Sequence, residues 1–272
     1  MVSGPLPLRN VSDVKVKPPS LGLLALEPRA LFEMGAFAAA SPLLRCLGRG
    51  DRHPVLVLPG FSGDDLSTQP LRWFLRGQGY WTHGWRLGAN MGPSPETLEG
   101  IARRLETVHQ RHGRKVSLIG WSLGGIYARQ LARQFPRAVR QVITLGSPFR
   151  LRPGDESNAS SFYDRYGHHD TEPPAVSYVA EDQLPRLKVP STAVYSRTDG
   201  VVRWHACIDA EGPRRENVEV QGSHSGLGHN PAVMIVIADR LSQPEGEWRP
   251  FRPPVWAAHL YPKPVNWLAR PA

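Results

Sequence analysis

Cysteine occurs only twice, at Cys46 and Cys207. That is too few for a disulfide framework, and the pair lacks the spacing of a zinc site, which leaves room for one bridge. Lysine is nearly as scarce: of 33 basic residues 5 are Lys and 28 are Arg, scattered along the chain rather than gathered into a basic arm. Nucleic acid is therefore not an expected partner, and the formal charge of +9 reads as a solvated basic surface or as attraction to an acidic lipid surface. Long clean apolar runs are missing as well. The most apolar stretch, Leu31 to Leu47, is interrupted by Glu33, Gly35, Pro42 and Arg45, short of the ~20 residues a membrane span requires. The first residues, Met1 to Pro7, have no basic segment followed by an apolar core. The expectation is a cytoplasmic protein, with peripheral membrane contact as the alternative. No internal repeat is found.

What the chain does contain is alternation of short apolar runs with helical patterns. His53–Leu58 is a continuous apolar run ended by Pro59-Gly60, as in a strand buried on both faces of a parallel sheet. A helix is predicted from about Ser67 to Gln78, a strand over Gly79–Trp85 and a long helix over Ser94–His112. Further strands are predicted at Lys115–Ile119, Val139–Leu145, Ser191–Ser196 and Asn217–Val220, with helices up to Phe135, where Pro136 stops the pattern, and over Pro231–Leu241. Strand-helix repetition with short turns implies an α/β fold: a mostly parallel sheet of about six strands with helices on both faces. The 272 residues read as a single domain with a core over 53–242. A lead-in over 1–52 turns helical between Leu21 and Leu47, with breaks expected at Pro28 and Pro42. Residues 149–190 show no sustained periodicity and are expected to be a lid-like or substrate-binding insertion. Residues 243–272 carry seven prolines with Trp248, Trp256 and Trp267, the composition of an extended strap or a disordered end.

Between the strand ending at Ile119 and the next helix stands Gly120-Trp121-Ser122-Leu123-Gly124-Gly125. Glycines two before and two after the serine suit a strained strand-to-helix corner that pushes a hydroxyl toward substrate. A serine hydroxyl is a poor nucleophile at neutral pH, so Ser122 needs a base, and the base needs a group to orient it. Asp199 follows a predicted strand directly and is the candidate acid; the alternative is an ordinary Asp-Gly turn, and Asp182 and Asp209 are rivals without that placement. His224, in the loop between the last strand and the last helix, is the candidate base, with His229 as rival. Imidazole, with an ordinary pKa near 6.5, suits a group that takes and returns a proton. For a developing oxyanion, the backbone N–H of Leu123 at a helix start and that of Phe61 after the first core strand are the candidate donors. His168-His169-Asp170 reads as loop rather than as metal ligands, because consecutive side chains point apart. Ser147 reads as the end of a strand near the site, and Trp121 as a core residue or a wall of the acyl site.

Gly-Trp-Ser-Leu-Gly-Gly, Leu58-Pro59-Gly60-Phe61, Thr198-Asp199-Gly200 and Ser223-His224-Ser225-Gly226-Leu227 together resemble the α/β-hydrolase superfamily, on its bacterial lipase and carboxylesterase side. The resemblance spans about Pro54 to Leu241 and extends to the loop Gly88-Ala89-Asn90-Met91-Gly92-Pro93. It implies a serine hydrolase acting on a small-molecule or lipid ester through an acyl-enzyme, without metal or organic cofactor, and it favours His224 over His229 as base. Acyl transfer to another acceptor and a non-catalytic hydrolase-like binding protein are the alternatives. The lead-in and tail match none of these motifs and inherit no role from them.

Overall fold

The computed structural model describes residues 16–152, 154–167, 181–210 and 212–262. Among them six strands form one parallel sheet: β1 (Pro54–Leu58), β2 (Trp81–Gly84), β3 (Val116–Trp121), β4 (Val139–Leu145), β5 (Ser191–Ser196) and β6 (Arg215–Val220), in spatial order β2-β1-β3-β4-β5-β6. The register lays Val57 beside Ile119, Ile119 beside Ile143 and Leu145 beside Val194. Every residue of β1, β4 and β5 is buried, and in β1 this reads as an unbroken apolar run, while β4 and β5 also bury polar residues such as Gln141 and Thr192.

Alternate side chains feed two cores. Val55, Val57, Ile119, Ile143 and Val194 meet α3 (Gln69–Gly77) and α7 (Pro231–Ser242), whereas Leu56, Leu58, Leu118 and Val142 meet α4 (Pro95–His112) and α5 (Leu123–Gln134). The helix starts follow their sequence signals. Ser94 accepts a hydrogen bond from Thr97 N at 3.1 Å ahead of Pro95, and Asn230 accepts one from Ala232 N ahead of Pro231. From β1 the chain runs to the sheet edge at β2 and returns to β3 on the other side of β1. That reversal opens a crevice beyond the carboxyl ends of β1 and β3, where the residues after each strand converge.

The lead-in folds into α1 (Leu21–Ala25), a 3₁₀ turn at Glu27–Arg29 holding Pro28, and α2 (Ala30–Leu44), which packs on α7 through Phe37 and Ala40. Pro42 does not break the helix as expected. It lies in the last turn, where one backbone bond is lost, and the Ser41 hydroxyl donates to Phe37 O at 2.8 Å. Among the described residues of the tail, Ala257 is buried in a 3₁₀ turn over Val255–Leu260, and the Tyr261 hydroxyl donates to Ala232 O at 2.8 Å. Of the expected insertion, α6 (Ser160–Tyr166) is described, while His168, His169 and Asp170 lie outside the described residues. Cys46 and Cys207 are both free thiols. No helix among the described residues is long and apolar enough to cross a membrane.

Candidate active site

Ser122 is the single corner residue between β3 and α5, with φ 52° and ψ −122°. A non-glycine residue in that region costs on the order of 1–3 kcal/mol, so its surroundings must hold it there. They do so through Ser122 N donating to Leu145 O at 2.8 Å and Gly125 N donating to Ser122 O at 3.0 Å. The flanking glycines are required by contact. A Cβ on Gly120 would lie 2.3 Å from Gly124 O, and one on Gly124 would lie 2.3 Å from Leu58 O.

Asp199 and His224 stand on the loops that follow the neighbouring strands β5 and β6, and their side chains meet: His224 Nδ1 is 2.6 Å from Asp199 Oδ2. The other carboxylate oxygen accepts Val201 N and Val202 N, each at 2.8 Å, which fixes the carboxylate plane. A proton on Nδ1 facing a carboxylate leaves Nε2 as the bare, proton-accepting nitrogen. Burial opposes charging the ring, but the Asp199 charge, its hydrogen bond and the Glu27 charge outweigh that, so the His224 pKa lies above the ordinary imidazole value. The pair adjoins the Ser122 corner. A Cβ on Gly146, which follows the Leu145 that binds Ser122 N, would lie 3.2 Å from both Asp199 Oδ2 and His224 Nδ1. Trp121 Nε1 donates to His224 O at 3.1 Å, so this indole fastens the base loop beside the serine. A hydrogen bond from Ser122 Oγ to His224 Nε2 is not formed among the described residues; bonds of this kind tighten when substrate binds.

The rivals sit elsewhere. Asp182 pairs with Arg152 on the surface, Asp209 is bound by Arg129 and the Ser191 hydroxyl, and His229 Nε2 contacts Ala30 O at 2.9 Å. Ser147 is buried at the end of β4, its hydroxyl 3.4 Å from Gly120 O.

Leu123 opens α5, so its N–H has no acceptor inside the helix. The loop bearing Phe61 comes against the same corner: a Cβ on Gly60 would lie 3.1 Å from Ser122 Cβ. Asn90 shapes that loop. Its side-chain amide donates to Pro59 O at 2.9 Å, its backbone bonds Ser62 N and Gly63 O, and the Tyr127 hydroxyl on α5 donates to its Oδ1 at 3.2 Å. Phe61 also packs on Tyr163 of α6, with ring centroids 5.0 Å apart.

This fold recurs in solved structures. A monoacylglycerol lipase from Paleococcus ferrophilus superposes with a TM-score of 0.52 at 14% identity, covering 72% of this chain and 96% of that one. A lipase from Bacillus licheniformis gives 0.51 at 16% identity over 72% and 94% of the two chains. A pyrethroid hydrolase from Sphingobium faniae JZ-2 gives 0.51 at 16% identity over 71% and 98%. The fold is that of the α/β-hydrolases. No protein-family model matches the chain. No curated protein matches it either.

Within this α/β-hydrolase fold, two buried polar residues escaped the sequence reading of individual roles. Asn90 stood inside the quoted loop but carried no separate signal. Glu27 belongs to the lead-in, to which no role was given, yet its carboxylate accepts Gly200 N at 2.8 Å, His224 N at 2.9 Å and Ser225 N at 2.9 Å. Glu33 binds Ser223 N at 2.8 Å, and Arg29 binds Gly222 O at 3.1 Å. The signal was available: Glu27 and Glu33 are the only acids in the apolar stretch from Leu21 to Leu47.

Proposed function

We propose that this protein is a serine hydrolase that cleaves carboxylic esters, of small molecules or lipids, through an acyl-enzyme. The observation that carries the reading is the buried Asp199–His224 pair, 2.6 Å apart, set beside a serine held at positive φ. Ser122 Oγ attacks the ester carbonyl while His224 Nε2 takes its proton, and the charge that develops on the imidazole is balanced by Asp199. The carbonyl oxygen becomes an oxyanion received by the backbone N–H groups of Leu123 and Phe61, at the positive end of α5. Collapse expels the alcohol, protonated by His224, and a water activated by the same nitrogen then releases the acid. Tyr163 of α6, packed against Phe61, lies beside the proposed oxyanion donor and would contribute to a wall on the acyl side of this site. The naming of the structural neighbours as lipases and a pyrethroid hydrolase supports ester chemistry.

The test is a panel of aryl esters of rising acyl length, assayed on wild type and Ser122→Ala. The expected result is turnover by wild type and a loss of about 10⁶-fold in the variant. Equal turnover by both removes the nucleophile assignment, and the length profile identifies the acyl group accepted.

A further inference from the structure

Glu27 is nine-tenths buried, and its carboxylate is satisfied almost wholly by backbone N–H groups from two loops that are distant from it in sequence. Gly200 directly follows Asp199; His224 and Ser225 carry the base. One side chain therefore binds the residue beside the acid and the base residue itself. We propose that Glu27 is a positioning residue, whose carboxylate holds the acid-bearing and base-bearing loops in the one register that lets Asp199 meet His224.

A buried anion needs such donors to exist at all. Burial works against its charge, but the N–H groups of Ser225, His224 and Gly200 hold the Glu27 pKa below the ordinary carboxylate value, so it is ionised at neutral pH. The same segment adds two further ties. Arg29 donates to Thr198 O on the acid loop and to Gly222 O on the base loop, and Glu33 binds Ser223 N. Residues 27–33 thus tie both loops together, while Trp121 separately binds His224 O.

The second consequence is electrostatic. The groups facing the His224 ring and its loop are Asp199 and Glu27, with Arg29 and Glu33 on the backbone behind them and the buried Cys207 thiol near Asp199. Glu27 is the second anion near the ring, and it favours the imidazolium that forms when Ser122 gives up its proton. Removing its charge makes the ring easier to deprotonate, so the acid limb of activity moves to lower pH while the base becomes weaker and less well aimed.

The kinetic arm of the test rests on the hydrolase reading; the spectroscopic arm does not. The His224 ring is titrated by NMR in wild type, Glu27→Gln and Glu27→Asp, and kcat, KM and the pH profile are measured on an aryl ester. Glu27→Gln is expected to move the ring titration and the acid limb to lower pH and to cut kcat about tenfold, as misplacement without direct contact does, with KM nearly constant. Glu27→Asp keeps the charge but is one methylene too short to reach all three N–H groups, so the ring titration stays near wild type while kcat falls several-fold. A Glu27→Gln protein that only melts earlier, with ring titration and kcat unchanged, overturns the proposal. If Glu27→Gln does not fold, wild-type kcat in Glu27→Asp overturns it instead. Activity surviving in Ser122→Ala would defeat the hydrolase reading alone, leaving the ring titrations to judge Glu27.

Discussion

Ser122 is strained and Asp199 is over-bound, and the two facts belong together. The carboxylate of Asp199 is fixed by two backbone N–H groups before it meets the ring, so the imidazole is oriented by a rigid partner. Asp199→Asn preserves this shape but presents an N–H to Nδ1, which reverses the tautomer and turns Nε2 from acceptor into donor. The expected outcome is a folded protein, checked by circular dichroism, with kcat lowered about 10⁴-fold. The sign of the pH effect follows from the ring as well. His224 must be neutral to accept the serine proton, and its pKa lies above the ordinary value, so kcat/KM should rise with pH through a midpoint above about 6.5. A midpoint below that value would contradict the placement of Asp199 and Glu27 beside the ring. Asn90→Ala acts on the other side of the substrate: it frees Pro59 O and the Phe61 loop without touching the base, so kcat should drop about a hundredfold with the acid limb unmoved.

Among the elements, α5, the helix that starts at the corner, is anchored by a buried cation. Arg129 is 2% exposed and binds Asp209 at 2.8 Å and Glu181, with its guanidinium 4.0 Å over the Phe149 ring. Removing only the cation leaves Asp209 buried and unpaired. Arg129→Met should therefore lower the unfolding free energy by about 3–5 kcal/mol in urea, and adding Asp209→Leu should recover part of it. Such ties also explain what the sequence made legible. β1 was readable because a strand buried on both faces is an unbroken apolar run, the corner because glycines stand where a Cβ would strike backbone, and Asp199 and His224 because each follows a strand. Glu27 was not, since its partners are backbone amides 173 and 197 residues away, and an amide has no side-chain signature. The segment after Phe149 was illegible for another reason: its Tyr163 is placed by contact with Phe61 rather than by any period of its own.

Over the whole molecule, histidine burial sets the response to acid. His53 is completely buried between Asp51 and the Ser117 hydroxyl, and burial with the nearby Arg140 pushes its pKa down to about 4, because the Asp51 charge is already shared with Arg114 and Arg140. His83, pushed down to about 4 by burial and by Arg104, shares one hydrogen bond with His112, Nε2 to Nε2 at 2.8 Å, which cannot form once both rings are protonated. Burial lowers His112 and His205 in the same direction, whereas His224 is raised by its anionic neighbours. Below about pH 6.5 the unfolded chain therefore binds protons that the folded chain refuses, and stability falls as pH drops toward 4, with His53 alone contributing about 3 kcal/mol. His224 works the other way: its stabilising contribution is complete below the unfolded value and is lost as pH rises through its folded pKa. Each added proton also increases the self-repulsion of a chain already at +9. Urea unfolding at pH 7 and pH 5 should show a lower midpoint at pH 5 for wild type. The difference should shrink in His53→Gln, whose side chain no longer titrates, and should grow in His224→Gln. Equal wild-type midpoints at the two pH values would mean that the buried rings accept protons as readily folded as unfolded, against the burial and hydrogen bonding of His53.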